Sequence, residues 1–212
     1  MFFEGNSSCV RRKDGQVRST RGNQTWINGV LVSPLFAKPA VVKDYTGFVI
    51  QNFASLSVYS SGETDNQLTY CEYGDCFLTL KPGSSFSTHG AGLVHVSLGQ
   101  YDTIEMINAG DVECTDVTCR KMIITTTTGD VDIIECMCTK LNVRSVSGDV
   151  TCSGDFDRMT MHSATGNIQW EGSGSDMMVS THSGNIKLTG IGNANVSTMS
   201  GRVKCSAGII MV

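Results

Sequence analysis

The cysteines come first among residues whose spacing could do chemistry. Cys71 and Cys76, and likewise Cys114 and Cys119, are separated by four residues; Cys136 and Cys138 are separated by one. Thiolates this close can hold zinc, but a zinc site joins two such pairs, and no matched second pair follows Cys136 and Cys138. The histidines His89, His95, His162 and His182 could exchange protons near neutral pH. The aspartates Asp111, Asp130 and Asp149 recur at equal spacing and could offer oxygens to Ca²⁺. Each set also has a plainer reading: thiols as small apolar core groups, histidines on a solvated face, and aspartates as turn formers. The nine-residue glycine-rich period of calcium-binding β-rolls is absent. Gly172-Ser173-Gly174 and Gly190-Ile191-Gly192 carry no phosphate-loop pattern. Lyases and hydrolases built on β-helices need carboxylates or bases gathered in a groove, and charge here looks thinly scattered. The expectation is therefore a non-enzyme with no catalytic residue, no cofactor and no metal.

The elements that would position these residues are repeats. A small residue, then Gly, then usually Asp or Asn, then Val or Ile returns around Gly110, Gly129, Gly148, Gly166, Gly184 and Gly201, at spacings of 19, 19, 18, 18 and 17. Two residues after these glycines stand Val112, Val131, Val150, Ile168, Ile186 and Val203. Four after them stand Cys114, Ile133, Cys152, Trp170, Leu188 and Cys205. Apolar columns alternating with polar ones mark half-buried strands. A fixed period near 20 marks a solenoid, whose coils bury their apolar sides only by stacking. Val131, Val150, Ile168, Ile186 and Val203 should form one core column, with Cys152, Trp170 and Leu188 in the next. Gly129-Asp130, Gly148-Asp149, Gly166-Asn167, Gly184-Asn185 and Gly201 should form the turns, with glycine supplying positive φ and Asp or Asn the conformation that follows. Cys119 and Cys138 each stand nine residues after a repeat glycine, so the coil should stack them within the Cα range of a disulfide.

The fold expected is all-β: a β-solenoid of about 18 residues per coil, preceded by a non-repetitive β-rich region. Residues 1–60 are read as an N-terminal arm and hairpin region, the turn falling at Asn28-Gly29. Residues 61–212 are read as the solenoid, with clear repeats over 103–205 and weaker ones at Gly74 and Gly92. Charge divides unevenly. Residues 1–50 hold seven basic residues (Arg11, Arg12, Lys13, Arg18, Arg21, Lys38, Lys43) against three acids (Glu4, Asp14, Asp44). The acidic remainder argues against nucleic acid as a partner for the rod. No run of residues is long and apolar enough to span a bilayer. Met1-Phe2-Phe3 is too short for a signal-peptide core. The nine cysteines then suggest a reducing compartment, cytoplasm or a virion assembled there.

Ser145-Val146-Ser147-Gly148-Asp149-Val150 and Asn195-Val196-Ser197-Thr198-Met199-Ser200-Gly201 resemble the repeats of a widespread adhesin-like family of unknown function. That resemblance implies a β-solenoid distantly similar to the bactofilin cytoskeletal proteins, and it implies no catalytic residues. The leading expectation is a rigid structural or assembly protein, such as a virion, fibre or appendage component, acting through protein contacts or self-association. Its candidate interfaces are Arg11, Arg12 and Lys13 in the basic head and Ile209, Ile210 and Val212 in the apolar tail. The alternatives are an adhesin-like module for glycan or protein and a carbohydrate-active β-helix enzyme.

Overall fold

The computed structural model describes backbone and side chains of residues 50, 53, 55–60, 78–90, 92–108, 110–206 and 208, and backbone alone for 7–11, 17–21, 24–27, 30–33, 40–44, 47–49, 51, 67–72, 75–77 and 209–211. Four short strands, β1 (Ser7–Arg11), β2 (Val17–Arg21), β3 (Gln24–Ile27) and β4 (Val30–Ser33), form an antiparallel sheet in sequence order. Ile27 pairs with Val30, while the expected turn residues Asn28 and Gly29 lie outside the described residues. The start of the chain, read as an arm, supplies β1 and β2 of this sheet.

The second sheet has 14 strands. It begins with β5 (Ala40–Asp44), β6 (Gly47–Gln51), β7 (Ser55–Ser60), β8 (Gln67–Glu72), β9 (Asp75–Leu80) and β10 (Ser84–Gly90). Six long strands follow: β11 (Leu93–Asn108), β12 (Val112–Thr126), β13 (Val131–Ser145), β14 (Val150–Ser163), β15 (Ile168–Ser183) and β16 (Ile186–Ser200). Two short ones, β17 (Val203–Cys205) and β18 (Ile209–Met211), close it. From β11 to β16 each strand is one whole coil and pairs parallel with the next. The result is a parallel β-solenoid of about seven turns with roughly 18 residues per turn.

Within a coil the side chains alternate in and out until the chain bends. In β14, Val150, Cys152, Phe156, Met159, Met161 and Ser163 are buried, and the alternation breaks on either side of Phe156. Those two bends and the loop at 164–167 turn the coil back on itself. The predicted columns stack in register: Val112, Val131, Val150, Ile168, Ile186 and Val203, then Cys114, Ile133, Cys152, Trp170, Leu188 and Cys205. Every member through β16 is at most 1% exposed. Val203 departs from the core expectation at 41% exposure, because only β16 lies against it among the described residues.

The early chain is built differently from the sequence expectation. The coil beneath β11 combines two separated strands, β7 under its first half and β10 under its second. Gly74 lies outside the described residues; β9, which follows it, lies on the far side of β7 from β11. The strands β5, β6 and β7, which fall within the stretch read from sequence as the N-terminal region, join the second sheet. Beyond β7 and β10, β8 and β5 pair antiparallel with β9 and β6. The parallel winding stops there.

Candidate functional site

The repeat turns are a spine of close approaches. The glycines at 129, 148, 166 and 184 have no positive φ; of the five turn glycines, Gly201 alone does (155°). This corrects the reason for glycine. A Cβ on Gly129, Gly148, Gly166, Gly184 or Gly201 would lie 1.9–2.3 Å from the carbonyl oxygen of the glycine one coil earlier, closer than any real contact. Glycine is required because the coils touch backbone to backbone there.

The residue after each glycine has a matching task. The backbone N–H of Asp130 donates to Asp111 Oδ1 (3.0 Å), Asp149 to Asp130 (2.8 Å), Asn167 to Asp149 (2.8 Å), Asn185 to Asn167 (2.9 Å) and Arg202 to Asn185 (3.0 Å). An Asp or Asn oxygen thus satisfies a turn N–H that the strand ladder leaves unpaired. Arg202 ends this series as donor only. The small hydroxyls three residues before the glycines brace the same corner. Thr126 Oγ1 donates to Gly129 O, Gly166 N donates to Ser163 Oγ, and Thr181 Oγ1 donates to Gly166 O.

Left-handed backbone sits at another corner, which the sequence did not mark. Leu98, Asp116 and Glu135 have φ of 42°, 55° and 54°. In later coils the residue is dropped and Gly154, Gly172 and Gly190 take φ of 133°, 152° and 142°. Ile133 pairs with Cys152, whereas Cys136 pairs with Gly154, so β14 crosses this corner with one residue fewer than β13. The repeat shortens from 19 to 18 residues here, and from 18 to 17 between Gly174 and Met177, where β16 again has one residue fewer.

A shallow groove of about 450 Å³ runs across the adjoining face. Its floor is the column Cys119, Cys138, Phe156, Gly174 and Gly192, which dips where side chains give way to glycine. Thr139, Asp157 and Ser175 line one side. Met137, Asp155, Ser173 and Ile191 line the other, where Asp155 Oδ1 accepts from both the backbone N–H and the hydroxyl of Ser173.

Cys119 and Cys138 face each other in register with their Sγ atoms 2.6 Å apart, both 5% exposed. The hydrogen bond with Cys119, reinforced by burial, pushes the Cys138 thiol far up. Burial does the same for Cys114 and Cys152, and pushes Cys136 up to about 11. These thiols stay protonated and are poor nucleophiles or ligands near neutral pH. The histidines do not converge. His95 pairs with Glu113 (3.2 Å) and His162 Nδ1 lies 3.0 Å from Ser180 Oγ, while His89 and His182 are exposed elsewhere. Among the described residues no three His, Cys, Asp or Glu side chains gather as metal ligands.

The winding brings together charges that looked scattered. Lys121, Lys140 and Arg158 pair in register on consecutive coils. Half a coil away, Asp111, Asp130 and Asp149 form the ladder, with Glu113 and Asp132 beside them. The signal was available: the basic residues stand 11, 11 and 10 after Gly110, Gly129 and Gly148. Of the expected interface residues, Arg12, Lys13 and Val212 lie outside the described residues, as does the side chain of Arg11 in β1. Ile209 and Ile210 belong to β18, which pairs parallel with β16 as a continuation of the winding; their side chains are not described.

No curated protein and no solved structure matches this chain. The coils with the Ser-Gly-Asp-Val signature fall inside a span that does match a known family. That span is residues 94–208, more than half of the 212, and the chain belongs to the Toastrack DUF4097 family.

Proposed function

We propose that this protein is a non-enzymatic structural element, a rigid rod that works through protein–protein contacts as part of a larger assembly. A Toastrack β-solenoid suits an interaction or structural role. The observation that carries the reading is the continuous parallel stack from β11 to β17, whose surface is ruled into rows of like side chains one strand spacing apart. Such rows offer a partner a regular template, and the backbone-to-backbone glycine spine makes that template stiff. The groove fits this reading better than catalysis. Glycoside hydrolysis uses two free carboxyl groups, and Asp155 is engaged by Ser173. The silent thiols fit a protein kept in a reducing compartment such as cytoplasm or a virion built there. Crosslinking with mass spectrometry in the source cells tests the proposal. Crosslinks from the surface of residues 94–208 to a defined protein neighbour, whether another copy or a different chain, are expected. Intramolecular crosslinks alone would overturn it.

A second reading is favoured by the groove itself. Asp157, Thr139 and Ser175 present a carboxylate and hydroxyls along a shallow open trough, a surface able to hydrogen-bond sugar hydroxyls. An adhesin-like glycan module would use it. Micromolar glycan binding lost in Asp157→Ala would establish this reading, and a blank glycan array would remove it.

A further inference from the structure

The charge rows have a geometry that points to a partner. Lys121, Lys140 and Arg158 stand directly above one another on three successive coils, about 4.8 Å apart. Like charges placed opposite one another across strands repel. Among the described residues none of the three has an ion-pair partner, and the only other charge in their row is Asp176, one coil on. Lys140 and Arg158 also line a small dent of about 200 Å³, whose far side carries Asp176.

The acidic row repels itself in the same way. Asp111, Asp130 and Asp149 are exposed and stacked, and Asp132 sits among them. Its carboxyl is pushed up by partial burial and then by Asp130, Glu113 and Asp111. The two rows are the same three coils seen from two sides. Lys121 follows Asp111, Lys140 follows Asp130 and Arg158 follows Asp149, in each case about half a coil further along the chain. They therefore lie across the rod from each other, share one spacing, and are opposite in sign.

We propose that a second copy of this chain docks side by side with the first, the basic row of one rod against the acidic row of the next. This rests on the reading of the protein as an assembly rod and names its partner. The contact is heterologous, because each copy uses a different face on each side. It therefore leaves one free row on either side and propagates into a lateral array. The match needs no special fit beyond the coil rise, which both copies share. Exposed charge pairs are individually weak, so the association is concentration-dependent and gives way to salt. Between 0.01 M and 1 M ionic strength the screening length falls from about 30 Å to about 3 Å.

The ladder dictates how the test is built. Asp111→Asn, Asp130→Asn and Asp149→Asn together remove the negative row but keep each Oδ1 acceptor, as Asn167 and Asn185 do naturally. Lys121→Gln, Lys140→Gln and Arg158→Gln together neutralise the basic row. Sedimentation velocity of the full chain at low salt should show wild-type association that weakens about tenfold or more in either triple variant. Mixing the two variants should restore a 1:1 complex that grows no further, since one keeps an intact acidic row and the other an intact basic row. Unchanged circular dichroism certifies the fold of each variant. Association that survives both triple changes would overturn this contact and leave the assembly reading standing on another surface. A wild type that stays monomeric at low salt, yet binds a sulfated polymer such as heparin through the basic row, would overturn it in favour of a polyanion ligand.

Discussion

Replacing Gly166 with alanine tests the spine directly. The added Cβ would lie 1.9 Å from Gly148 O and 2.6 Å from Gly148 C, both backbone atoms of the coil beneath. A carbon needs roughly 3.4 Å or more from such atoms, so the two coils must part by more than 1 Å at this corner. Several short bonds hold them together there. Val150 N donates to Asn167 O at 2.9 Å, Ala164 N to Ser145 O at 3.1 Å, Thr165 N to Val146 O at 3.2 Å and Asn167 N to Asp149 Oδ1 at 2.8 Å. An opening of that size stretches all four beyond bonding distance. At about 1 kcal/mol net for each bond, the loss is about 4 kcal/mol. The gain from a stiffer unfolded chain offsets only about 0.4–1 kcal/mol of this. The result is a large fraction of the roughly 5–15 kcal/mol that typically holds a domain together. Gly83→Ala is the control. Its Cβ meets nothing within 4 Å, but φ is +78°, so only left-handed strain of about 1–2 kcal/mol applies. Urea unfolding followed by tryptophan fluorescence and circular dichroism gives both values. A Gly166→Ala protein as stable as Gly83→Ala would refute the account of the spine as a backbone contact.

The ladder predicts that Asp149→Ala lowers stability by about 1 kcal/mol, because the Asn167 N–H loses its acceptor. Asp149→Asn should leave the urea midpoint close to wild type. Arg120 grips Asp102 at 2.7 and 2.9 Å and holds its carboxyl down to about 2. The stability from this pair is thus complete above about pH 3.9 and lost as pH falls toward 2. Arg120→Gln should flatten that part of the acid unfolding profile. In the alkaline direction the sign is opposite. Cys136 titrates at about 11 in the fold, against 9.0 when unperturbed, so stability should fall as pH rises from about 9 through 11, and Cys136→Ala should blunt the fall. The buried Cys119 and Cys138 should resist diamide, a two-electron thiol oxidant, in the folded protein at neutral pH, so that mass spectrometry shows no loss of two hydrogens between them until urea exposes both.

The winding was legible because it is periodic. Val150, Ile168 and Ile186 announce their column by recurring at a fixed distance from a glycine, and the register pairs them without exception. The β7–β10 layer was not legible, because β7 ends at Ser60, β10 starts only at Ser84, and β8 and β9 intervene with no period to link the two halves. The turn glycines at 129, 148, 166 and 184 were explained wrongly from sequence, since none has a positive φ. A sequence records that side chains are absent at 129, 148, 166 and 184, not whether dihedral angle or crowding excludes them. The charge rows were hidden for a simpler reason. Lys121 and Lys140 are distant in sequence and become neighbours only when the coil length is used as a ruler.

The direction of the interstrand hydrogen bonds has a mechanical consequence. Strands run around the rod, so the bonds between coils point along its axis. A lateral load is shared by many parallel bonds, and the rod resists bending. A tensile load applied at the chain ends meets only the outermost coil, whose bonds break one after another like a zip. Each coil so released frees about 18 residues, on the order of 60 Å of extended chain. Under tension the protein would therefore lengthen in equal steps at low force, while the coils still wound keep their stiffness.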